Sequence, residues 1–450
     1  MNNNEIVKLN SVHNNNNNNE NNYEKNSKKA NLKKKTIKKK TTSSNNSTSS
    51  NNNNNNNLKK KKTKKIKSNK DLIQNNFVVL TKINQGSFGN IYLSFNLRDN
   101  IEVAIKKEIK KKNYYPQLKT EFQIYQSLLQ IPLNKNPINY SSYIKKQNSL
   151  LNNSNFSITG EYPIVQEKVT GVPIFYGIGE LPDSFYLILE FLGPNLTDLL
   201  TYCNYKKFSI PTICLLAIQM INRIENLHKH NFIHRDIKPE NFVIGLENKS
   251  NIIYLIDFGL SKRFKNSKTF QHIPYRENRS LIGTVRYSSI NSHLGIEPSR
   301  RDDLESIAYV LIYFLKGYLP WQGLTNGKDK FFGIMEKKLQ IPTEILCFNL
   351  PDEIGVFLNY CKSLRFEDQP DYDYMRSLFI ELLGNFLNNV GITKDNLKFD
   401  WLVEDLRAMW KKYIKTYAIL SKSSLLEGSM PKCELILEYL TVPIKDLFSL

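Results

Sequence analysis

From about residue 77 onward the chain alternates short apolar runs with polar loops, whereas residues 1–76 contain few apolar positions. The first apolar runs are bounded by turn residues and predict three strands, Phe77–Ile83, Ile91–Phe95 and Glu102–Lys107. Later runs have helical spacing and predict helices at Pro116–Leu129, from Ser209 onward and through Ile307–Leu315. We therefore expect strands at the start of the folded region and helices further along.

A polar loop lies between two apolar runs, Phe232–Ile233 and Phe242–Ile244, that are typical of buried strands. The loop, His234–Asn241, has the spacing H-R-D-x-x-x-x-N, which is typical of a protein-kinase catalytic loop. Phosphoryl transfer to a hydroxyl needs a carboxylate that accepts the hydroxyl proton. Asp236 is the candidate for this base.

Two further residues of the loop suit the same chemistry. The amide oxygen of Asn241 can bind a metal ion, and Lys238 can reach the transferring phosphate and offset its developing charge. A lysine at this offset resembles the serine/threonine branch of the kinases rather than the tyrosine branch. The competing interpretation is a charged surface loop without catalytic function, and the order of the partner motifs argues against it.

A glycine-containing loop between the first two predicted strands is suited to cover the phosphates of a nucleotide, because glycine adds no side chain there. It reads Asn84-Gln85-Gly86-Ser87-Phe88-Gly89, so asparagine replaces the first glycine of G-x-G-x-x-G. Asparagine tolerates left-handed backbone, and we expect a working but stiffer loop. The third predicted strand contains Val103-Ala104-Ile105-Lys106, which makes Lys106 the candidate ligand of the α- and β-phosphates.

Two acidic residues are candidates for the rest of the phosphate site. Glu121 is the one acid in the predicted helix Pro116–Leu129, and it is expected to pair with Lys106 rather than to be an exposed helix charge. Asp257 opens Asp-Phe-Gly after a predicted strand, Ile252–Ile256, and can bind a magnesium ion between the β- and γ-phosphates.

Another apolar strand, Tyr186–Phe191, continues into Gly193-Pro194. In a kinase this segment is the hinge between the lobes. Leu189 would then be the gatekeeper, and the backbone of Glu190 and Leu192 would meet adenine.

A longer stretch, residues 271–323, narrows the similarity from protein kinases in general to one group of them. Its motifs are Gln271–Asn278, Gly283–Asn291, Leu294–Glu297, Ser299–Ser306 and Leu319–Gly323. These residues resemble the casein kinase 1 family, in which Ser289-Ile290-Asn291 also stands where other kinases have A-P-E. The resemblance covers about residues 77–402.

The resemblance implies an α+β bilobal protein-kinase fold, with a small β-rich N-terminal lobe and a larger, mainly α-helical C-terminal lobe. It implies a serine/threonine kinase that transfers the γ-phosphate of ATP, with Mg²⁺, to proteins at acidic or already phosphorylated sites. Arg286 and Lys330 match the family's anion pocket, against the alternative of two ordinary surface cations. The implied nucleotide site is Ile83, Asn84, Gln85, Gly86, Ser87, Phe88, Gly89, Asn90, Ile91, Ala104, Lys106, Glu121, Leu189, Glu190 and Leu192.

The chain has 450 residues and a formal net charge of +21, but the charge is unevenly distributed. Residues 1–76 hold 18 lysines, no arginine and 4 acidic residues, and are rich in Asn, so we expect a disordered arm. Its lysine runs, Lys33–Lys40 and Lys59–Lys67, are candidates for nuclear localisation or polyanion binding. A solvated tail without function is an equally weighted alternative.

The domain organisation follows from this arm and from the resemblance. We expect a kinase domain at 77–402, divided into an N-lobe at 77–191 and a C-lobe at 192–402. Residues 131–162, rich in Asn, Ser and Tyr, are expected to be an insertion, and 403–450 a C-terminal helical extension and tail.

The five cysteines are scattered, odd in number and without a C-x-x-C pair, which favours a reducing compartment over disulfides or a zinc site. Neither a secretory signal nor an apolar run of bilayer length is visible. We expect a monomer in the cytoplasm, the nucleus or both.

Two functions of other classes compete with an active kinase. A pseudokinase scaffold is supported only by Asn84. A nucleic-acid-binding or polyanion-binding protein would act through the lysine arm, but no aromatic residues interleave the lysine runs to stack on bases.

Overall fold

The structure is a computed structural model that describes residues 72–73, 76–86, 89–111, 115–129, 171–203, 207–246, 249–324, 330–391 and 397–403. The lysine runs of the arm, the expected insertion at 131–162 and the expected extension beyond residue 403 lie outside the described residues.

The first part of the described chain forms a six-stranded antiparallel sheet in the order β1-β2-β3-β4-β6-β5. Its strands are β1 (Leu72–Ile73), β2 (Phe77–Gln85), β3 (Asn90–Asn96), β4 (Ile101–Ile109), β5 (Phe175–Glu180) and β6 (Ser184–Glu190). The sheet begins before the boundary expected at Phe77, because Leu72 and Ile73 pair with Val78 and Phe77. Ile73 is buried in the same apolar cluster as Phe77, so Leu72 and Ile73 belong to the sheet and not to the disordered arm expected at 1–76.

Side chains along β4 alternate between the two faces of the sheet, so some lie in the core and others line a cleft. Val103 and Ile105 are fully buried in the apolar cluster that also contains Phe77. Ala104 and Lys106, at the intervening positions, line a cleft. Because side chains of a strand alternate between its two faces, a slip of one residue would turn Lys106 away from the cleft.

Helix α1 (Gln117–Leu128) is anchored to the sheet at its first turn. The Glu108 carboxylate of β4 accepts hydrogen bonds from the backbone N–H groups of Gln117 and Leu118, at 3.2 and 2.9 Å. A carboxylate at this end satisfies otherwise free amides and complements the helix dipole. The strand that carries Lys106 therefore also fixes the start of α1.

Helices make up most of the remaining chain. They are α2 (Leu196–Tyr202), α3 (Ile210–Lys229), α4 (Ile290–His293), α5 (Arg300–Lys316), α6 (Lys330–Gln340), α7 (Thr343–Leu346), α8 (Asp352–Ser363), α9 (Tyr372–Val390) and α10 (Asp400–Val403). Helices α3 and α5 are the most buried and pack against each other, while α9 packs on α3 and α8 on α5. The predicted bilobal α+β architecture is confirmed.

Two short strand pairs frame the polar loop. They are β7 (Phe232–Ile233) with β10 (Lys262–Arg263), and β8 (Phe242–Ile244) with β9 (Ile253–Leu255). The five residues of β7 and β8 are buried, as the apolar runs on both sides of the loop predict. The loop is thus fixed at both ends by core side chains.

None of the helices in the described ranges combines the length and the apolar character that a bilayer crossing requires. The four described cysteines, Cys203, Cys214, Cys347 and Cys361, are free and buried.

Candidate active site

A cleft of about 1020 Å³ is lined on one side by the sheet and α1 and on the other by the polar loop and its neighbours. Most of the residues predicted from the sequence lie along it. They are Ile83, Asn84, Gln85, Gly86, Ile91, Ala104, Lys106, Glu121, Leu189, Glu190, Leu192, Lys238, Asn241, Asp257 and Arg286.

Six predicted residues do not line the cleft or are not described, and the buried Asp236, treated below, is one of them. Gly89 and Asn90 lie at the turn into β3 and do not line the cleft. Ser87 and Phe88 lie outside the described residues, and Lys330 begins α6 with a side chain that the structure does not describe.

Lys106 joins the two carboxylates that the sequence assigns to the phosphate site. Its Nζ lies 2.7 Å from Glu121 Oε2 and 2.6 Å from Asp257 Oδ1. All three side chains are largely buried, so the ion pairs are weakly screened by solvent. The structure therefore assembles strand β4, helix α1 and the Asp-Phe-Gly segment around one ammonium group.

Burial and the ion pairs act in opposite directions on these groups. Burial lowers the pKa of Lys106, but Asp257 and Glu121 outweigh it, so the pKa lies above its usual value. Burial raises the pKa of Asp257, and Lys106 more than offsets this and lowers it overall. Lys106 is consequently a cation and Asp257 an anion at neutral pH, as phosphate and metal binding require.

The Asp236 carboxylate is held by three neighbours just beneath the cleft lining. Lys238 Nζ donates to Oδ2 at 2.6 Å, and Thr284 Oγ1 donates to Oδ1 at 2.8 Å. Asn241 donates through Nδ2 to the Asp236 backbone carbonyl at 2.8 Å. Lys238, Thr284 and Asn241 all line the cleft, so the base is oriented by residues that face the ligand space.

Asp303 of α5 fixes the backbone of the polar loop from below. Its buried carboxylate accepts from the backbone N–H of His234 at 2.7 Å and of Arg235 at 2.9 Å. Arg235 has a φ of 68°, a conformation that is costly for a residue with a long side chain. These hydrogen bonds hold the strained turn that presents Asp236.

A chain of aromatic contacts joins the polar loop to α1. The His234 ring lies 5.7 Å from Phe258, and Phe258 lies 5.2 Å from Tyr125, both edge to face. Such contacts are favourable beyond the area they bury. They connect the loop that carries Asp236 with the helix that carries Glu121.

The cleft also contains two hard oxygen donors suited to a divalent cation. Asp257 supplies a carboxylate, and the Asn241 amide keeps its oxygen available while its nitrogen donates to Asp236. The backbone N–H of Ile256 donates to the Asn241 carbonyl at 3.0 Å and ties the two segments together. Within the described ranges no cluster of three His, Cys, Asp or Glu side chains forms a metal site. Two protein oxygens completed by phosphate oxygens fit magnesium, which is rarely enclosed by protein alone.

Sequence reasoning missed many residues that line the cleft, among them Asp198 of α2, Val243 of β8, Ile256 and Thr284. Thr284 lay within the stretch used for the family resemblance, and its position directly after Gly283 was the available signal. Gly283 has a φ of 91°, and a Cβ there would lie 2.3 Å from the Arg235 carbonyl oxygen. That close approach brings Thr284 to Asp236.

Replacing Gly89 by alanine is expected to destabilise the sheet and to raise the KM for ATP. A Cβ at Gly89 would lie 2.2 Å from the Lys107 carbonyl oxygen, where β3 pairs with β4. We expect a loss of about 1–3 kcal/mol in the free energy of unfolding, measured by urea denaturation. Gly86→Ala is the matched comparison, because its Cβ would meet no atom closer than 3.7 Å. Equal losses for both variants would contradict this reading of β3.

A family model for the protein kinase domain matches residues 77–387. The match includes strands β2 to β6 of the sheet, α1, the polar loop, the Asp-Phe-Gly segment and the helical core through most of α9. With more than half of the chain covered, and with the cleft arranged as described, the chain belongs to the protein kinase family.

Proposed function

We propose that this kinase phosphorylates serine and threonine residues of proteins, in the manner of casein kinase 1, and favours acidic or already phosphorylated sites. Membership of the protein kinase family already establishes ATP and a divalent metal as cofactors, and we assign Mg²⁺ as the metal. The observation that carries the proposal is the carboxylate of Asp236, held between Lys238 and Thr284.

The residues of the cleft have separate roles in phosphoryl transfer. Lys106, oriented by Glu121, holds the phosphates of ATP in the cleft. Asp257 and Asn241 would hold a divalent ion, which would neutralise charge on the phosphates when bound. Asp236 accepts the proton of the attacking hydroxyl, and Lys238 lies against the same carboxylate, where it can stabilise the charge on the transferring phosphoryl group.

The acceptor preference is supported by the two groups that bind Asp236. A lysine two residues after the base is the feature that resembles the serine/threonine branch. Thr284 occupies the second carboxylate oxygen and belongs to the segment that lines the outer part of the cleft. The support for serine and threonine as acceptors is therefore the resemblance that Lys238 and Thr284 carry, with both side chains bound to the base.

The acidic preference is supported by Arg286. Its side chain is exposed and lines the outer part of the cleft, near Thr284. The Trp321 Nε1 group donates to the Arg286 carbonyl at 2.8 Å and fixes the backbone beneath it. A guanidinium in this position presents a fork of donors that matches carboxylate or phosphate oxygens.

A panel of peptides tests the proposed acceptor and context preferences. Peptides that differ only in Ser, Thr or Tyr at the acceptor, each with an upstream run of Asp or of Ala, are compared by kcat/KM for incorporated phosphate. We expect the acidic serine peptide to be the best substrate and the tyrosine peptides to be inactive. Phosphate transfer to tyrosine would overturn the proposed acceptor preference. Equal kcat/KM values for the Asp and Ala peptides would overturn the proposed acidic preference.

The Arg286→Ala variant is expected to raise the KM for the acidic peptide about tenfold, which corresponds to about 1.4 kcal/mol. The KM for ATP and the rate with the Ala peptide are expected to change little, because the backbone contact of Trp321 does not depend on the side chain. Arg365→Ala is the control, since Arg365 is exposed and pairs with Asp368 away from the cleft. An equal rise in the KM values for both peptides would instead mean that Arg286 has a structural role.

A further inference from the structure

One lysine of the C-terminal lobe is buried without a carboxylate contact among the described residues. Lys338 of α6 is only 3% exposed. Its Nζ donates to the backbone carbonyls of Ser288 at 2.5 Å and Val285 at 3.2 Å, and lies 3.2 Å from His293 Nε2. It also lies over the rings of Tyr309 and Trp321, 4.9 and 5.1 Å from their centroids. An ammonium group is rarely buried this way, so its contacts call for a functional explanation.

The carbonyls that Lys338 contacts belong to the segment that leads from the catalytic base to helix α4. We call residues 283–289 the substrate segment, because Thr284 contacts Asp236 and Arg286 lines the outer cleft. Lys338 binds the carbonyls of residues 285 and 288, and Trp321 binds the carbonyl of residue 286 between them. Three carbonyls of one segment are therefore fixed by two side chains of the lobe below.

The far end of the substrate segment is held separately. Ser289 Oγ donates to Asp302 at 2.6 Å, and the backbone N–H of Ile290 donates to Glu305 at 2.8 Å. These anchors and the Thr284 contact fix the two ends, and Lys338, Trp321 and His293, whose Nε2 lies 3.2 Å from the Val285 carbonyl, hold the path between them. That middle part carries Arg286, whose direction depends on the path.

We propose that Lys338 is a positioning residue for the peptide substrate, which acts by fixing the backbone of the substrate segment and thereby the direction of Arg286. The inference rests on the proposed function, since it concerns how the same cleft holds a peptide. Lys338 lies outside the cleft lining and contacts neither Asp236 nor the phosphate site. Its loss therefore weakens peptide binding without a matching effect on ATP.

The cluster around Lys338 can also exist in two protonation states. As an ammonium, Lys338 donates to the Val285 and Ser288 carbonyls, and His293 Nε2, which also lies 3.2 Å from the Val285 carbonyl, accepts from Lys338 or donates to that carbonyl according to its tautomer. As a neutral amine, it keeps two N–H donors for the carbonyls, and its lone pair can accept a hydrogen bond from His293 Nε2–H. The second state holds the carbonyls less strongly, because neutral hydrogen bonds are about half as strong as charged ones.

The groups around Lys338 bring its change of protonation state close to neutral pH. Burial lowers the pKa of Lys338 to about 7, against the opposing effect of Glu305. Burial and Lys338 lower the pKa of His293 to about 4, and burial raises that of Tyr309 well above its usual value, so neither titrates in this range. Lys337, next on α6, donates to the Pro320 carbonyl instead. As pH rises through about 7, Lys338 loses its proton, and the KM for peptide is expected to rise.

The Lys338→Met variant tests the proposal, with Lys337→Met as the matched change one residue away. The substrates are an Asp-containing serine peptide and its Ala counterpart, because phosphate on a substrate would itself titrate near pH 6. At pH 6.5 we expect Lys338→Met to raise the KM for peptide about tenfold and the KM for ATP less than about twofold. Between pH 6.5 and 8.5 the wild-type KM for peptide should rise and the variant's should stay constant.

Two results would overturn the proposal. One is an equal rise of both KM values, which would make Lys338 only a structural residue. The other is a wild-type KM for peptide that does not change with pH, and this result decides the matter even if Lys338→Met does not fold. A failure of the acidic preference is distinguishable, because it appears in the wild type alone as equal KM values for the Asp and Ala peptides, whereas the proposal concerns the change that Lys338→Met makes to the KM for the Asp peptide.

Discussion

The Asp236→Asn protein is expected to transfer phosphate about 10²–10⁴ times more slowly than the wild type, because an amide cannot accept the hydroxyl proton. ATP binding is expected to persist. Lys106, Glu121 and Asp257 contact one another rather than Asp236, whose carboxylate lies beneath the cleft lining. Initial rates of phosphate incorporation into casein measure the first quantity, and the rise in melting temperature with added ATP measures the second.

Asp183→Asn is the control for Asp236→Asn, because it makes the same chemical change at an exposed turn between β5 and β6. It should leave both quantities at wild-type values. Equal rates for Asp236→Asn and wild type would exclude Asp236 as the base. A wild type that gains stability from ATP but transfers no phosphate would instead favour the pseudokinase alternative that Asn84 suggests.

The parts of the site that could be predicted are those whose chemistry restricts the choice of residue. Glu121 was assigned because α1 contains no other acid, and the structure places it 2.7 Å from Lys106. The polar loop was assigned because apolar runs flank it, and those runs form β7 and β8. In both cases local sequence limits the alternatives before any tertiary contact is known.

The parts that could not be predicted depend on contacts between distant segments. Lys337 and Lys338 are adjacent and identical, yet one is partly exposed and the other buried among aromatic rings. Nothing in their own sequence distinguishes them, because their difference arises from how α6 packs against α4 and the segment before it. The capping of α1 by Glu108 was likewise not predictable, since the carboxylate reaches it from β4 and not from the helix itself.

Asp303, in the first turn of α5, binds the backbone of the polar loop, and its other contacts show how much depends on it. Besides the backbone N–H groups of His234 and Arg235, it contacts His228 Nε2 at 3.0 Å. Burial raises the pKa of Asp303, but the hydrogen bond and charge of His228 contribute most to lowering it overall. Asp303 is therefore a buried anion at neutral pH whose partners are all donors.

Asp303→Asn is expected to lower the free energy of unfolding by about 3–5 kcal/mol, because removal of the anion leaves buried donors without a charged acceptor. The strained backbone of Arg235 would then relax and displace Asp236, so the rate of phosphate transfer should fall as well. Urea denaturation measures the stability, and casein phosphorylation at a temperature where the variant is folded measures the rate.

Asp302→Asn provides the adjacent comparison. Asp302 is also buried and accepts hydrogen bonds from Ser289 and the backbone of Ser299, but burial raises its pKa to about 6. Because this pKa is close to neutral pH, the fold already accommodates a neutral, protonated Asp302. A neutral asparagine amide at this position should therefore destabilise the fold less than one at Asp303. Since Asp302 has no contact with the polar loop, its variant should lose less activity too. Equal losses of stability and rate for the two variants would mean that Asp303 acts only as part of the core, and not as the support of the turn that presents the catalytic base.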